Sequence, residues 1–373
     1  MSSRVDCIVV GLGAMGSAAA YHLARRGQRV IGFDRDRPPH ALGSSHGDTR
    51  IIREAYFEHP VYVPMVKRAY ELWHELEERT GRTLYQRTGG LMLGLPRSDL
   101  VEGALRSARE HGLAHELLEA GDIRTRFPAL APSPDMVGVL EPRAGVLFPE
   151  RCIEAHLELA RAAGADVRVN DPVVRWDCDD HGVRVVTREG VHSAHRLVIT
   201  AGAWLPELVP ELAPYFQVER QTLYWFSPCA PTDVFDPQRC PVHLWQFDGR
   251  QFFYGFPDLG DGVKVARHHA GSTATAETID RHVSDAEIDD ILQLVDRFVP
   301  AARGELRKSA VCLYTNTSDE HFWIDRHPAH DQVLVVSPCS GHGFKFAPVI
   351  GEIIADLLVD RGSAFDLSLF RTR

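Results

Sequence analysis

The strongest constraint on this chain lies at its start. A short apolar strand, Val5 to Val10, runs directly into the turn Gly11-Leu12-Gly13-Ala14-Met15-Gly16. The segment Ser17–Arg26 then reads as a helix with a small-residue face, Gly27 stops it, and Arg29–Asp34 is a second strand ending in a carboxylate. G-x-G-x-x-G alone is a weak signal. Placed between a strand and a helix, with Asp34 about 20 residues further on, it marks a dinucleotide-binding βαβ unit. Gly11, Gly13 and Gly16 let the backbone approach a pyrophosphate, the helix start at Ala14 and Met15 offers free N–H groups, and Asp34 accepts hydrogen bonds from a ribose. The fold class expected is α/β, with a Rossmann-like nucleotide domain.

At 373 residues the chain is too long for one core, so two domains are expected. Residues 38–56 read as a loop leading into a helix, and the apolar spacing of Val66, Ala69, Tyr70, Trp73 and Leu76 predicts a helix over 64–78. Strand-like pieces alternate with Gly and Pro over 84–148, around a helix at 99–111. A helix at 151–163, a strand at 165–169, a hairpin through Val173 to Val186 and an apolar strand at 196–204 follow. Residues 215–308 are β-rich and aromatic, with one long helix at about 284–298; a buried strand at 332–336 and a helix at 347–360 close the chain. The nucleotide domain is thus expected from 1–83, 149–214 and 310–373. The insertions 84–148 and 215–309 would build an interleaved α+β substrate domain on a mixed or antiparallel sheet.

A formal charge of -10 without a Lys/Arg block argues against nucleic acid or an anionic membrane as partner. No apolar run reaches membrane-spanning length, and residues 1–10 read as a strand rather than a signal peptide. The seven cysteines are scattered, with no C-x-x-C pair, which fits reduced thiols in a cytoplasmic enzyme. H-E-x-x-H is absent and no metal is expected. A second G-x-G-x-x-G between strand and helix is also absent, which counts against a nicotinamide-using reductase or an FAD monooxygenase.

Further blocks are long and ordered: His46-Gly47-Asp48-Thr49-Arg50-Ile51-Ile52-Arg53; Tyr254-Gly255-Phe256-Pro257 with Lys264 and His268; Cys312-Leu313-Tyr314-Thr315 before Asp319-Glu320-His321-Phe322; and Ser340-Gly341-His342-Gly343-Phe344-Lys345-Phe346. With the Gly-rich start, the chain resembles, nearly end to end, the monomeric sarcosine oxidase and N-methyltryptophan oxidase group of the D-amino-acid-oxidase-like flavoenzymes. The resemblance implies a monomer carrying covalent FAD, its 8α-methyl carbon bonded to the sulfur of Cys312. It implies oxidation of a small secondary α-amino acid, with O2 reduced to H2O2.

By that resemblance Arg53 and Lys345 hold the substrate carboxylate, one as a planar fork and one as a point charge. Arg50 and Lys264 are the cations beside the flavin ring, where they stabilise negative charge developing on the ring and on O2. His268, Tyr314 and Tyr254 line the substrate side; His268 either tunes the amine's protonation or only shapes the pocket. Attachment at Cys312 needs a thiolate, which neighbouring cations such as Arg50 or Lys264 favour. His46 packs against the cofactor, Gly341, Gly343 and Phe344 place donors at its pyrimidine end, and Arg35, Ser44, Thr49, Val174, Gly202 and Trp204 fall along the rest of it. The chain departs from the family pattern at Ser45, Glu54, Arg267 and Ser337-Pro338-Cys339. The departures at Ser45, Glu54 and Arg267 keep open a second reading, oxidation or desaturation of a cyclic imino acid such as pipecolate, proline or a related biosynthetic intermediate, and a non-catalytic flavin-binding protein is the remaining alternative.

Overall fold

In the computed structural model, which describes residues 4–229, 231–360 and 362–371, the strand Val5–Val10 lies between two parallel neighbours, Val30–Phe33 and Val191–Ile199. Asp166–Arg168 extends this parallel sheet on one side, and His330–Ser337 on the other. Trp323–His327 closes the edge antiparallel, and the hairpin Val173–Asp179/Gly182–Thr187 pairs with the first half of Val191–Ile199. Both faces of the central strands are covered, which is why they read as unbroken apolar runs. The helix Ala14–Arg25 packs on Pro149–Ala162 and on Ala347–Ala355. Its small residues permit the close approach: a Cβ at Gly351 would fall 2.6 Å from the carbonyl carbon of Ala18. The last helix relaxes into a π-helical turn at Asp356–Asp360.

A second sheet runs in the order Leu306–Thr317, Phe216–Phe226, Val263–His268, Gln251–Asp258, Val242–Phe247, Gly90–Gly94, Val137–Glu141, Glu116–Glu119. All neighbours are antiparallel except Val242–Phe247 with Gly90–Gly94. Helix Asp285–Phe298 covers one face, started by a capping box in which Ser284 and Glu287 satisfy each other's backbone N–H. Its Phe298 stacks on Trp245 and Phe253 in the second core.

Two expectations change here. Leu306–Thr317 pairs along its whole length with Phe216–Phe226, so a division at 309/310 would cut a continuous strand. Cys312 therefore sits on the edge strand of the antiparallel sheet and not in the nucleotide sheet. The 38–56 segment also contains a strand, Arg50–Ile52, which pairs with Gly145–Leu147 in a small sheet completed by Tyr85–Arg87. No helix among the described residues is long and apolar enough to cross a membrane.

Candidate active site

The Gly-rich turn is built as its sequence requires. Gly11 has φ +87°, and a Cβ at Gly16 would lie 1.7 Å from the Gly11 carbonyl oxygen. Helix Ala14–Arg25 has no side-chain cap; Ala14 N makes only a long 3.4 Å bond to Ser45 Oγ. Its first turn keeps unpaired N–H groups of the kind that bind an anion. Asp34 is buried, and its carboxylate accepts from Leu12 N at 2.7 Å and from Asp36 N at 3.0 Å. It braces the turn while retaining lone pairs toward the cavity. Arg35 lies over the Trp204 ring at 4.8 Å.

One long cavity runs from this turn to Cys312. Its wall carries Gly11, Gly13, Ala14, Met15, Asp34, Arg35, Ser44, Thr49, Arg50, Arg53, Val174, Gly202, Trp204, Tyr254, His268, Cys312, Tyr314, Gly341, Gly343, Phe344 and Lys345. Three expected residues lie behind the wall. Gly16 is packed under the turn, His46 is buried, and the Lys264 ammonium is enclosed by the Gly47 and Thr49 carbonyls (2.6 and 3.0 Å) and Thr49 Oγ1 (3.0 Å). Burial, then Arg50, push the Lys264 pKa well below its ordinary value, while Asp48, Cys312 and Glu150 oppose the shift.

The residues fit a bound dinucleotide. A Cβ at Gly13 would meet nothing nearer than Ser45 Oγ at 3.6 Å, so the turn leaves a cradle. Ser44 Oγ and His46 Nε2, both buried, have no hydrogen-bond partner among the described residues. At the far end Cys312 is 2 % exposed, with Arg50 Nη2 3.8 Å from its sulfur.

Beyond Cys312 the wall becomes cationic. Arg53 is 3 % exposed and donates through Nη2 to both oxygens of Glu58, at 2.7 and 2.8 Å, and through Nη1 to the Ala55 carbonyl at 2.9 Å. Lys345 is 5 % exposed, and its pKa is brought down to about 7, first by burial and then by Arg53, with Glu58 opposing. His268 Nδ1 lies 3.0 Å from Tyr314 OH. Burial, then His269, His342, Lys345 and Arg53, hold its pKa well below the usual histidine value, so the ring is neutral. Gly341 has φ +74°, and a Cβ there would lie 2.5 Å from His268 Cε1 and 2.6 Å from Tyr314 Cε2.

Sequence reasoning missed Glu58, Tyr56 and the use made of His342. Glu58 follows Arg53 by five residues in an irregular loop, where no period signals a pair. Of the departures, Glu54 turns away to Arg143 (2.9 Å) and Arg267 to Asp290 (2.8 Å), both off the cavity wall. Ser45, Pro338 and Cys339 lie on it.

A model of a family described as FAD dependent oxidoreductase matches residues 6–357. The chain is 47% identical to a monomeric sarcosine oxidase of Streptomyces avermitilis, covering 100% of this chain and 98% of that one. It is 37% identical to an N-methyl-L-tryptophan oxidase of Salmonella newport, over 99% and 98% of the two chains. Among solved structures, NikD, an amino acid oxidase of nikkomycin biosynthesis, superposes with a TM-score of 0.85 at 24% identity, covering 100% of this chain and 98% of that one.

Proposed function

The chain belongs to the FAD dependent oxidoreductase family, and from that premise we propose an oxidase of secondary, N-methyl, sarcosine-like α-amino acids, its FAD tethered through the Cys312 sulfur. FAD, when bound, accepts hydride from the carbon beside the amine and passes the electrons to O2, giving H2O2, while the imine product hydrolyses. The chain's own residues hold, orient and desolvate.

The observation that carries this reading is the pair of buried cations Arg53 and Lys345 on the wall shared with His268, Tyr314 and Cys312. A dry pocket with two cations suits a carboxylate, and a carboxylate clamp beside a redox cofactor suits an amino acid. Neutral His268 is able to accept a hydrogen bond from the amine and does not repel it. Lys264 acts from behind the wall, holding the Gly47–Thr49 backbone next to the ring. The unpaired state of all seven cysteines fits a reducing compartment such as the cytoplasm, and the likeness to a monomeric sarcosine oxidase suits a monomer.

The cyclic imino acid reading loses support, because Glu54 and Arg267, two of the departures that kept it open, do not face the cavity. Oxygen uptake and peroxide release with sarcosine, larger N-methyl amino acids, proline and pipecolate test the choice. Turnover fastest with an N-methyl substrate is expected; turnover confined to the cyclic acids would reverse it. Lys345→Ala should raise KM for the amino acid more than it slows reoxidation, and Lys264→Met should do the opposite.

A further inference from the structure

Lys345 is held by a chain of hydrogen bonds whose direction can be read atom by atom. His342 Nε2 lies 2.9 Å from the carbonyl oxygen of Glu320. A carbonyl only accepts, so this nitrogen carries the proton. Burial, with Lys345 and Arg53 adding and Glu58 opposing, brings the His342 pKa to about 3, so the ring is neutral and Nδ1 is bare. Tyr56 OH, 2.7 Å from Nδ1, must then donate to it; the His342 carbonyl, at 3.2 Å, is the poorer acceptor. With its proton committed, the Tyr56 oxygen presents only lone pairs to Lys345 Nζ at 3.3 Å. Lys345 Nζ also donates to the His342 carbonyl at 2.7 Å. Two ammonium hydrogens are thereby assigned and the third is left for the cavity.

We propose that Tyr56 and His342 are positioning residues that keep Lys345 as a hydrogen-bond donor toward the carboxylate of the amino acid. The proposal rests on the substrate-holding role given to Lys345 above. It also places the Tyr56 ring against both cations of the clamp, with Arg53 Cζ at 4.3 Å and Lys345 Nζ at 5.2 Å from its centroid. The tether runs on through His342 to Glu320, a residue with φ +61°, whose turn and His342 both line a second, more open cavity next to the site. The groups facing Lys345 are Arg53 and Arg50, which disfavour its charge, Glu58, which favours it, and the neutral His268, His342 and Tyr56.

The test uses the flavin-loaded enzyme and acetate, a carboxylate that cannot be oxidised at an amine, with binding followed by the flavin absorbance across pH. In the wild type, acetate binding weakens as pH rises through about 7, where Lys345 loses its proton. Tyr56→Phe removes an acceptor from the ammonium, so this limb moves to lower pH and the Kd at neutral pH weakens by about five- to tenfold. His342→Leu moves the limb the same way, because the Tyr56 proton then competes for the 342 carbonyl. His342→Gln, which keeps an acceptor and a donor, brings the limb back toward the wild type. Lys345→Met abolishes it. An unmoved limb in Tyr56→Phe, with the limb absent in Lys345→Met, overturns the positioning role alone. A limb that survives in Lys345→Met overturns the substrate-holding role of Lys345 and the positioning role with it.

Discussion

Arg50 and Cys312 meet on the wall of the cavity, with guanidinium Nη2 3.8 Å from the sulfur. The same guanidinium donates to the carbonyls of Ser44 (2.7 Å), His46 (2.6 Å) and Thr49 (2.8 Å), so its position is set by the loop after the second nucleotide strand. In the proposed tether the sulfur attacks as an anion, and a cation fixed at this distance favours that attack. Arg50→Met is expected to cut the fraction of covalently bound flavin about tenfold or more at matched incubation, the size of a lost charge-assisted contact. Colour retained by acid-precipitated protein measures it.

Glu58 occupies Arg53 as a substrate carboxylate would. Burial opposes its ionisation, but the Arg53 guanidinium holds the carboxyl below its ordinary value of 4.5. Such a group stabilises the fold above its unfolded pKa, and that stability is lost as pH falls through the lower folded value. The pair's contribution should therefore fade only below about pH 4.5. Glu58→Gln removes the competing anion: acetate should bind several-fold more tightly at pH 7. Thermal unfolding should show a loss of about 1–3 kcal/mol, because Gln returns only one acceptor to a buried guanidinium. Tm and acetate titrations on one preparation check both.

Behind Arg53, the buried Glu141 accepts from the backbone N–H of Glu54 and Ala55, both at 2.6 Å, and so shapes the turn that anchors the guanidinium. Burial raises its pKa from 4.5 to about 7 against those two N–H groups. A raised acid is easier to ionise in the unfolded chain, so its stability is fully present below 4.5 and is lost as pH rises through about 7. Glu141→Gln sets an NH2 against an N–H. It should cost about 1–3 kcal/mol at pH 5, with the gap to wild type narrowing above pH 7. Urea unfolding at the two pH values reads this directly.

Gly341→Ala should cost activity without unfolding the chain. The added methyl would press on His268 and Tyr314 from 2.5 and 2.6 Å, at a backbone angle that L residues resist. Turnover should fall by about tenfold or more, since displacing a positioned group by a fraction of an ångström is costly. The share of bound flavin that is covalent should stay at the wild-type level, because Cys312 and Arg50 lie outside that contact.

Much of this was legible in the chain because local chemistry declares itself. The Gly11–Gly16 turn, Asp34 and the small-residue helix face follow from what a pyrophosphate and a close helix contact demand. The alternation from Val173 to Val186 gives its hairpin. Other features depend on partners distant in sequence. The run Val311-Cys312-Leu313 is as apolar as a nucleotide-sheet strand, and only its pairing with Thr222, Gln221 and Arg220 assigns it to the antiparallel sheet. Arg50–Ile52 lies among loop-forming residues and becomes a strand because Gly145–Leu147 is offered to it. Lys264 looked like a cation at the ring, yet its ammonium is taken up by three acceptors on Gly47 and Thr49 and is not part of the cavity wall. Tyr56 carried no signal, and His342 stood in the Ser340–Phe346 block without a role of its own; their meaning lies in the order of donors and acceptors between them.

The central claim is that the flavin and the polypeptide are one molecule joined at Cys312. The intact mass of the denatured protein, for wild type and for Cys312→Ser, tests it most directly. The account predicts a wild-type mass exceeding that of the 41.6 kDa chain by one FAD, and the bare chain mass for Cys312→Ser. A wild-type chain at its bare mass, with all pigment released on denaturation, would contradict it.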